Sequence, residues 1–178
     1  LEYEKIEQAS ALEIPFADNS FDVVFSHGVL HHIPEVKTAS REISRVLKPD
    51  GELVSMFYAK RSLNYQVSIA IIRRLGLAAF FLTGRKGSGI VAEHLENARR
   101  MGLAKYLSMR NFIHVNTDGP RNPYSKVYDL KTVREDFAEF EIVKSYQCFM
   151  HAPPLNVGWL PLEELLGWHL WVHLKPTR

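Results

Sequence analysis

Cysteine is almost missing from the 178 residues: Cys148 stands alone, so an intrachain disulfide framework and a cysteine-built zinc site are both excluded. A single cysteine fits a reducing compartment. An excess of one charge is missing too, since 22 Lys and Arg face 20 Asp and Glu, and nothing in that balance calls for a nucleic acid as partner. No basic segment followed by an apolar one opens the chain, which starts Leu1-Glu2-Tyr3-Glu4-Lys5. No secretory signal is therefore read, and the expected location is cytoplasmic. Long uninterrupted apolar runs are also lacking. The best candidate, residues 63–82, is cut by Arg73 and Arg74 into pieces well short of the ~20 residues a span requires, so it reads as a buried or lid helix with no stable membrane span. Internal repeats and low-complexity tracts are absent as well. What is present, 46% hydrophobic residues, is enough for one domain with a core.

The clearest local pattern lies between residues 21 and 58. Phe21-Asp22-Val23-Val24-Phe25-Ser26 is a short, nearly continuous apolar run, as in strands of a parallel sheet covered on both faces. Pro34-Glu35 opens a helix, and Val36, Ala39, Ile43, Val46 and Leu47 follow the spacing of one apolar stripe. Lys48-Pro49-Asp50-Gly51 stops that helix in a tight turn, and residues 52–58 form the next strand. The unit is strand, helix, strand, which sets the class as α/β. Beyond it come two helical candidates, 63–82 and 90–107, separated by a glycine-rich loop at 83–89. That loop is no phosphate loop, because its Lys precedes the last Gly and no Lys-Ser/Thr pair follows. Asp129 is placed to cap a helix carrying Leu130, Val133 and Phe137, after which 140–149 and 168–174 read as the strands of a long hairpin. Its loop, 151–167, holds Pro153, Pro154, Gly158 and Pro161 and has room for one helical turn.

Three segments carry a resemblance. Ala11-Leu12-Glu13-Ile14-Pro15-Phe16-Ala17-Asp18-Asn19-Ser20-Phe21-Asp22-Val23-Val24, then Val29-Leu30-His31-His32-Ile33, then Arg45-Val46-Leu47-Lys48-Pro49-Asp50-Gly51 resemble the class I S-adenosylmethionine-dependent methyltransferases. The similarity is greatest to the type 11, ubiquinone/menaquinone methyltransferase-like group, and it is dense over residues 9–57. The resemblance implies a Rossmann-like sheet ordered 3-2-1-4-5-7-6, of which this chain supplies the carboxyl-terminal part. It also implies an S-adenosylmethionine cofactor across the carboxyl ends of the central strands. The family's first strand and its Gly-x-Gly-x-Gly loop would precede Leu1 and are not among these residues, so the chain reads as an amino-terminally incomplete domain, 1–178, with a helical insertion at 59–128. Residues 3–8 would be the family's third strand without its neighbours, and are expected to be disordered, repacked or paired with another chain. The exposed edge of strand 21–26 invites a homodimer.

The resemblance also supplies site residues. Ser10-Ala11 falls where the family has Asp-Ala at the adenine, with Leu12 following. A hydroxyl in place of a carboxylate exchanges a hydrogen bond of ~1.5–3 kcal/mol for one of ~0.5–1.5 kcal/mol, which weakens cofactor affinity without abolishing it. Ser10 ending a loop is the other reading. Ser26, His27 and Leu30 line the methionine end of the cofactor and face the acceptor. Methyl transfer needs alignment more than acid catalysis. Where the acceptor carries a proton, His27 and then His31 are the candidate bases, while His32 serves equally as a structural side chain. His27 and His31 are four apart, as in a helical metal pair, but no zincin glutamate follows and a metal is not assigned. His169 and His173 read as the polar face of an edge hairpin. Tyr124 and Tyr128, in a segment that passes near the acceptor pocket in similar enzymes, shape that pocket or serve as turn and core aromatics. An apolar insertion points to an apolar or amphipathic small-molecule acceptor. The reading from another class is a non-catalytic remnant that binds a partner or regulates one.

Overall fold

The computed structural model describes residues 6–177, together with the backbone course given below. Among the described residues, five strands and seven α-helices follow in this order: β1 (Phe21–His27), α1 (Val36–Val46), β2 (Leu47–Ala59), α2 (Arg74–Leu82), α3 (Gly89–Met101), α4 (Leu103–Tyr106), α5 (Met109–Thr117), β3 (Val127–Tyr128), α6 (Leu130–Asp136), β4 (Phe140–Cys148), α7 (Glu163–Leu166) and β5 (His169–Pro176). A 3-10 turn, Leu30–His32, follows β1, and a π-helical stretch, Asn64–Arg73, runs into α2. The strand order is β1-β2-β5-β4, with β3 beside β2. That order reproduces the 4-5-7-6 part of the expected sheet. The α/β class is as expected.

Two compact units divide the chain, residues 1–56, 130–145 and 171–178 in the first, 57–129 and 146–170 in the second. In the first, β1 and β2 run parallel with Val23 beside Glu52 and His27 beside Met56, and the register shifts between Phe21 and Val23. Gly51 sits at that shift, where a Cβ would lie 3.0 Å from the carbonyl oxygens of Asp22 and Lys48. The close approach favours glycine there, since any side chain would press on two backbone carbonyls. The tight turn expected at residues 48–51 is thus part of the ladder, and α1 passes directly into a strand that starts at Leu47. The stripe on α1 is buried as its spacing predicts: Val36, Ala39, Ile43 and Val46 are at most 4% exposed. Leu53, Val133, Phe137, Val172 and Leu174 are buried in the same unit. Ile6 to Gln8 have no strand pairing, and the rest of the expected third strand lies outside the described residues.

The second unit is built on helices. Ile69, Leu77, Leu95, Ala98, Tyr106, Phe112, Ile113 and Trp168 form its core. The two arginines do not cut the apolar stretch. Arg73 donates to the carbonyls of Pro153 and Asn116, Arg74 to those of Leu107 and Ala70, and the helix continues through both. Residues Asn64–Leu82 therefore make one helix of 19 residues, long and apolar enough by length and composition to cross a membrane. The helix expected at 90–107 is broken instead. Gly102 takes φ +88° between α3 and α4, a left-handed step that L side chains avoid, and α5 follows as a helix the spacing did not reveal. His169 and His173 lie on β5, which stands between β2 and β4, so the strand is internal rather than an edge. β4 ends that side of the sheet. The loop after β4 carries the expected single turn, α7, and a cis Pro153–Pro154 bond.

Candidate functional site

In the first unit, the loop after Gln8 is shaped by its own polar groups. The Ser10 hydroxyl accepts the Leu12 N–H at 3.1 Å and the Ser10 carbonyl accepts the Glu13 N–H at 3.2 Å, closing a tight turn. Arg45 on α1 then fastens the chain that follows. Its guanidinium donates to the carbonyls of Ile14 and Phe16 and to Asp18 Oδ1, and its other edge grips Glu42 through both carboxylate oxygens. Glu42 Oε2 in turn accepts the Ile14 N–H at 3.1 Å. The hydrogen bond from Arg45, helped by that from Ile14, holds the Glu42 carboxyl below its ordinary range. Arg45 and Glu42 were not foreseen as positioning residues. The available signal was an acid and a guanidinium one helical turn apart, facing a loop rich in backbone acceptors.

The carboxyl end of β1 gathers the other sequence-assigned residues. Ser26 is half-buried beside Ser55, and His27 is exposed, its ring 5.3 Å from that of Trp171 and near-parallel to that of Phe25. Gly28 ends the strand at φ +73°. A Cβ there would stand 3.7 Å from the Met56 side chain, an ordinary contact, so it is the positive φ that favours glycine. The left-handed step separates His27 from the turn that follows, so His27 and His31 do not share a helical face. Leu30 is 2% exposed and His31 0%, with the His31 ring 4.3 Å from that of half-buried His32. Of the histidines assigned here, His27 is the one open to solvent.

In the second unit, Tyr124 stacks on His114 with ring centroids 5.1 Å apart, while Tyr128 is buried against Phe57 at 4.4 Å. The segment between them is pinned by a polar knot. Asn122 donates to the His114 carbonyl at 2.8 Å and to Ser125 Oγ at 2.7 Å, and His114 Nδ1 accepts the Ser125 N–H at 3.0 Å. A cavity of about 640 Å³ opens beside it, lined by His114, Asn122 and Pro123 among others and by charged Glu93, Glu96 and Arg100. Tyr58 accompanies this unit: its hydroxyl donates to Asp118 at 2.7 Å, and burial together with that bond pushes its ionisation well above the usual phenol.

Comparison with known proteins adds to this geometry. The family model described as "Methyltransferase domain" matches residues 2–55. The ubiquinone/menaquinone biosynthesis C-methyltransferase of Rickettsia felis is 35% identical over 88 residues, 46% of this chain and 34% of the relative. The 27-O-demethylrifamycin SV methyltransferase of Amycolatopsis mediterranei is 47% identical over 47 residues, 26% of this chain and 17% of the relative. The aligned segments thus span at most about a third of the length of these relatives. Among solved structures, a SAM-dependent methyltransferase from Methanosarcina mazei superposes with a TM-score of 0.52 at 14% identity, over 94% of this chain and 65% of that one, which shows the fold. The matched segment at residues 2–55, the relatives aligned over part of their length and the sheet order together support a class I S-adenosylmethionine-dependent methyltransferase of the type 11 group.

Proposed function

We propose that the protein transfers a methyl group from S-adenosylmethionine to a small-molecule acceptor of apolar or amphipathic character, in the cytoplasm. The observation that carries this reading is the carboxyl end of β1, inside the matched segment, where the chain turns at Gly28 with φ +73° and His27 stands open to solvent. The residues present suit the adenine and methionine ends of the cofactor. Ser10 is exposed on a formed turn, with Ala11 and Leu12 beside it, and Ser26, His27 and Leu30 line the strand end.

When bound, S-adenosylmethionine supplies a methyl group activated by a sulfonium. The chain's own residues have two tasks. Arg45 and Glu42 hold the 10–18 segment in place, so that Ser10 presents an acceptor to the adenine and the strand end keeps its distance. Positioning of this kind supplies most of the rate of a displacement in which no acid is needed. His27 takes the proton of a hydroxyl, amine or acidic carbon, a role an imidazole fills near neutral pH. His31, buried and against His32, belongs to the same site as the histidine that fixes the turn carrying Leu30. Tyr124 is assigned to the acceptor, whereas Tyr128, buried against Phe57, takes the role of a core aromatic. Calorimetric titration of S-adenosylhomocysteine into the 178-residue chain tests the reading. Binding that weakens on Ser26→Ala or His27→Ala is expected, and absence of heat overturns it for this chain.

One observation favours a second reading, a non-catalytic module completed by another subunit. Among the described residues β1 ends the sheet, and Val23 and Phe25 on one of its faces are 55% and 64% exposed. Aromatic and branched side chains this open are suited to a protein interface, including a second copy of the chain. Sedimentation of the chain alone separates the two readings: a homodimer without cofactor binding supports the module.

A further inference from the structure

The second unit holds another cavity, of about 370 Å³, set among Asn64–Leu82, α3 and α5. Its walls are largely apolar, with Ile72, Leu77, Phe80, Ile90, Val91 and Phe112 on them, and three polar residues interrupt them, Arg73, His94 and Asn116, the last with its side-chain amide donating to the Phe112 carbonyl at 3.1 Å. Arg73 is half-buried, and its hydrogen-bond partners are the Pro153 carbonyl at 3.0 Å, the Asn116 carbonyl at 2.9 Å and Asn64 Oδ1 at 3.4 Å. All three are neutral. Among the described residues Arg73 makes no ion pair, although cations withdrawn from water are ordinarily matched by a carboxylate. Desolvation accordingly holds its ionisation below that of an ordinary guanidinium. His94 offers no second charge. It lies 2.6 Å from the Tyr106 hydroxyl, and burial and the nearby Arg73 both lower its ionisation, so near neutral pH it stands as a polar, uncharged group.

We infer that this cavity is a binding site for a small apolar acid, an aliphatic or aryl monocarboxylate whose tail lies on the apolar wall and whose carboxylate meets Arg73. The geometry supplies what such a ligand needs. A guanidinium has five N–H groups in a planar fork matched to a carboxylate, and three backbone or amide oxygens do not exhaust them. The volume is near the lower end of the ~300–1,000 Å³ typical of small-molecule sites, which fits a free acid and excludes a two-chain lipid. The walls reject S-adenosylmethionine, whose adenine, ribose and two further charges find no partners there. Gly76 also lines the cavity, and a Cβ on it would meet nothing within 4 Å. A glycine inside a helix is costly to the helix, and here its effect is to leave the wall open. The inference rests on the second unit alone and stands apart from methyl transfer.

Calorimetry with the whole chain, no cofactor present, tests it with decanoate against decanol, which share a tail and differ in charge. Decanoate binds, and decanol binds at least about tenfold more weakly, as expected for losing a hydrogen-bonded charge pair. Arg73→Gln removes that preference. Gly76→Phe, which grows into the open space without touching the three carbonyls held by Arg73, abolishes binding of both compounds while the thermal midpoint holds. Equal affinity for acid and alcohol, no heat from decanoate, or unchanged binding in Gly76→Phe would each overturn the site.

Discussion

The two units differ in how they are held together and in what they carry. The first, with its sheet, has ten Lys and Arg against fourteen Asp and Glu, whereas the helical unit has twelve against six. In the first, cations meet carboxylates, Arg45 with Asp18 and Glu42 and Lys48 with Asp22, and His173 Nδ1 lies 2.6 Å from Glu52. In the second, exposed pairs occur as well, Lys60 with Asp129 and Arg121 with Glu93, but the half-buried Arg73 and Arg74 are spent on neutral oxygens, most of them backbone carbonyls. A fold carried by a sheet ladder satisfies its backbone locally and leaves arginine free to pin a loop. A fold of short helices exposes many carbonyl ends, and charged side chains are drawn in to meet them. The matched family segment lies wholly in the first unit.

The comparison is broken most forcefully through the two cores. Phe137→Ala, at 0% exposure in the first unit, is expected to cost about 3–5 kcal/mol and Leu95→Ala, at 1% in the second, about 2–5 kcal/mol, measured by urea unfolding followed by circular dichroism. If either unit melts alone, one of the two substitutions moves only one of two transitions. A smaller effect separates the units by acid. His94 in the helical unit is held neutral when folded, its ionisation depressed below the ordinary ~6.5, so the unfolded chain binds the extra proton first. Its contribution is complete above pH ~6.5 and declines as the pH falls through that value toward the folded ionisation. The thermal midpoint should fall between neutrality and mild acid, and His94→Gln should flatten that slope. Asp22 and Glu42 lose their contribution only in stronger acid, since both carboxyls titrate low. Smallest of all is Arg121→Ala. Its paired N–H groups meet Glu93 at 3.0 and 3.1 Å, but the arginine is 87% exposed and solvent screens the pair, so the midpoint should not move.

The reach of sequence reasoning follows the same division. Most of residues 21–58 was legible because the parts have local causes, a short apolar run and a stripe of period 3.6, whereas the Pro-Asp-Gly step read as a turn lies inside β2, because pairing with β1 draws it into the ladder. The strand order followed from the resemblance. Along the helical unit the deciding contacts are distant, Arg73 reaching carbonyls 43 and 80 residues away, and no periodicity records them. A pair of arginines in an apolar run read as an interruption because hydropathy counts charge and ignores partners. Gly102 was visible as a glycine, but a lone glycine in a helical pattern does not announce a left-handed step. At the site, Ser10, Ser26, His27 and Leu30 were reached through the family segments, whereas the burial that separates His27 from His31 depends on Gly28 and on packing. Arg45 was quoted as part of a motif and its grip on residues 14–18 went unread, because carbonyl acceptors carry no signature in a side-chain alphabet.

The position of β1 at the end of the sheet leaves a signature in time as well as in space. A strand bonded to a parallel neighbour on one side directs alternate amides toward it and the rest away. Deuterium uptake along Phe21–His27 should therefore alternate residue by residue, slow where the amide meets β2 and fast where it looks outward, while β2, paired on both sides, exchanges slowly throughout. Any strand that later docks on that edge will announce itself by slowing the fast amides and leaving the slow ones as they were.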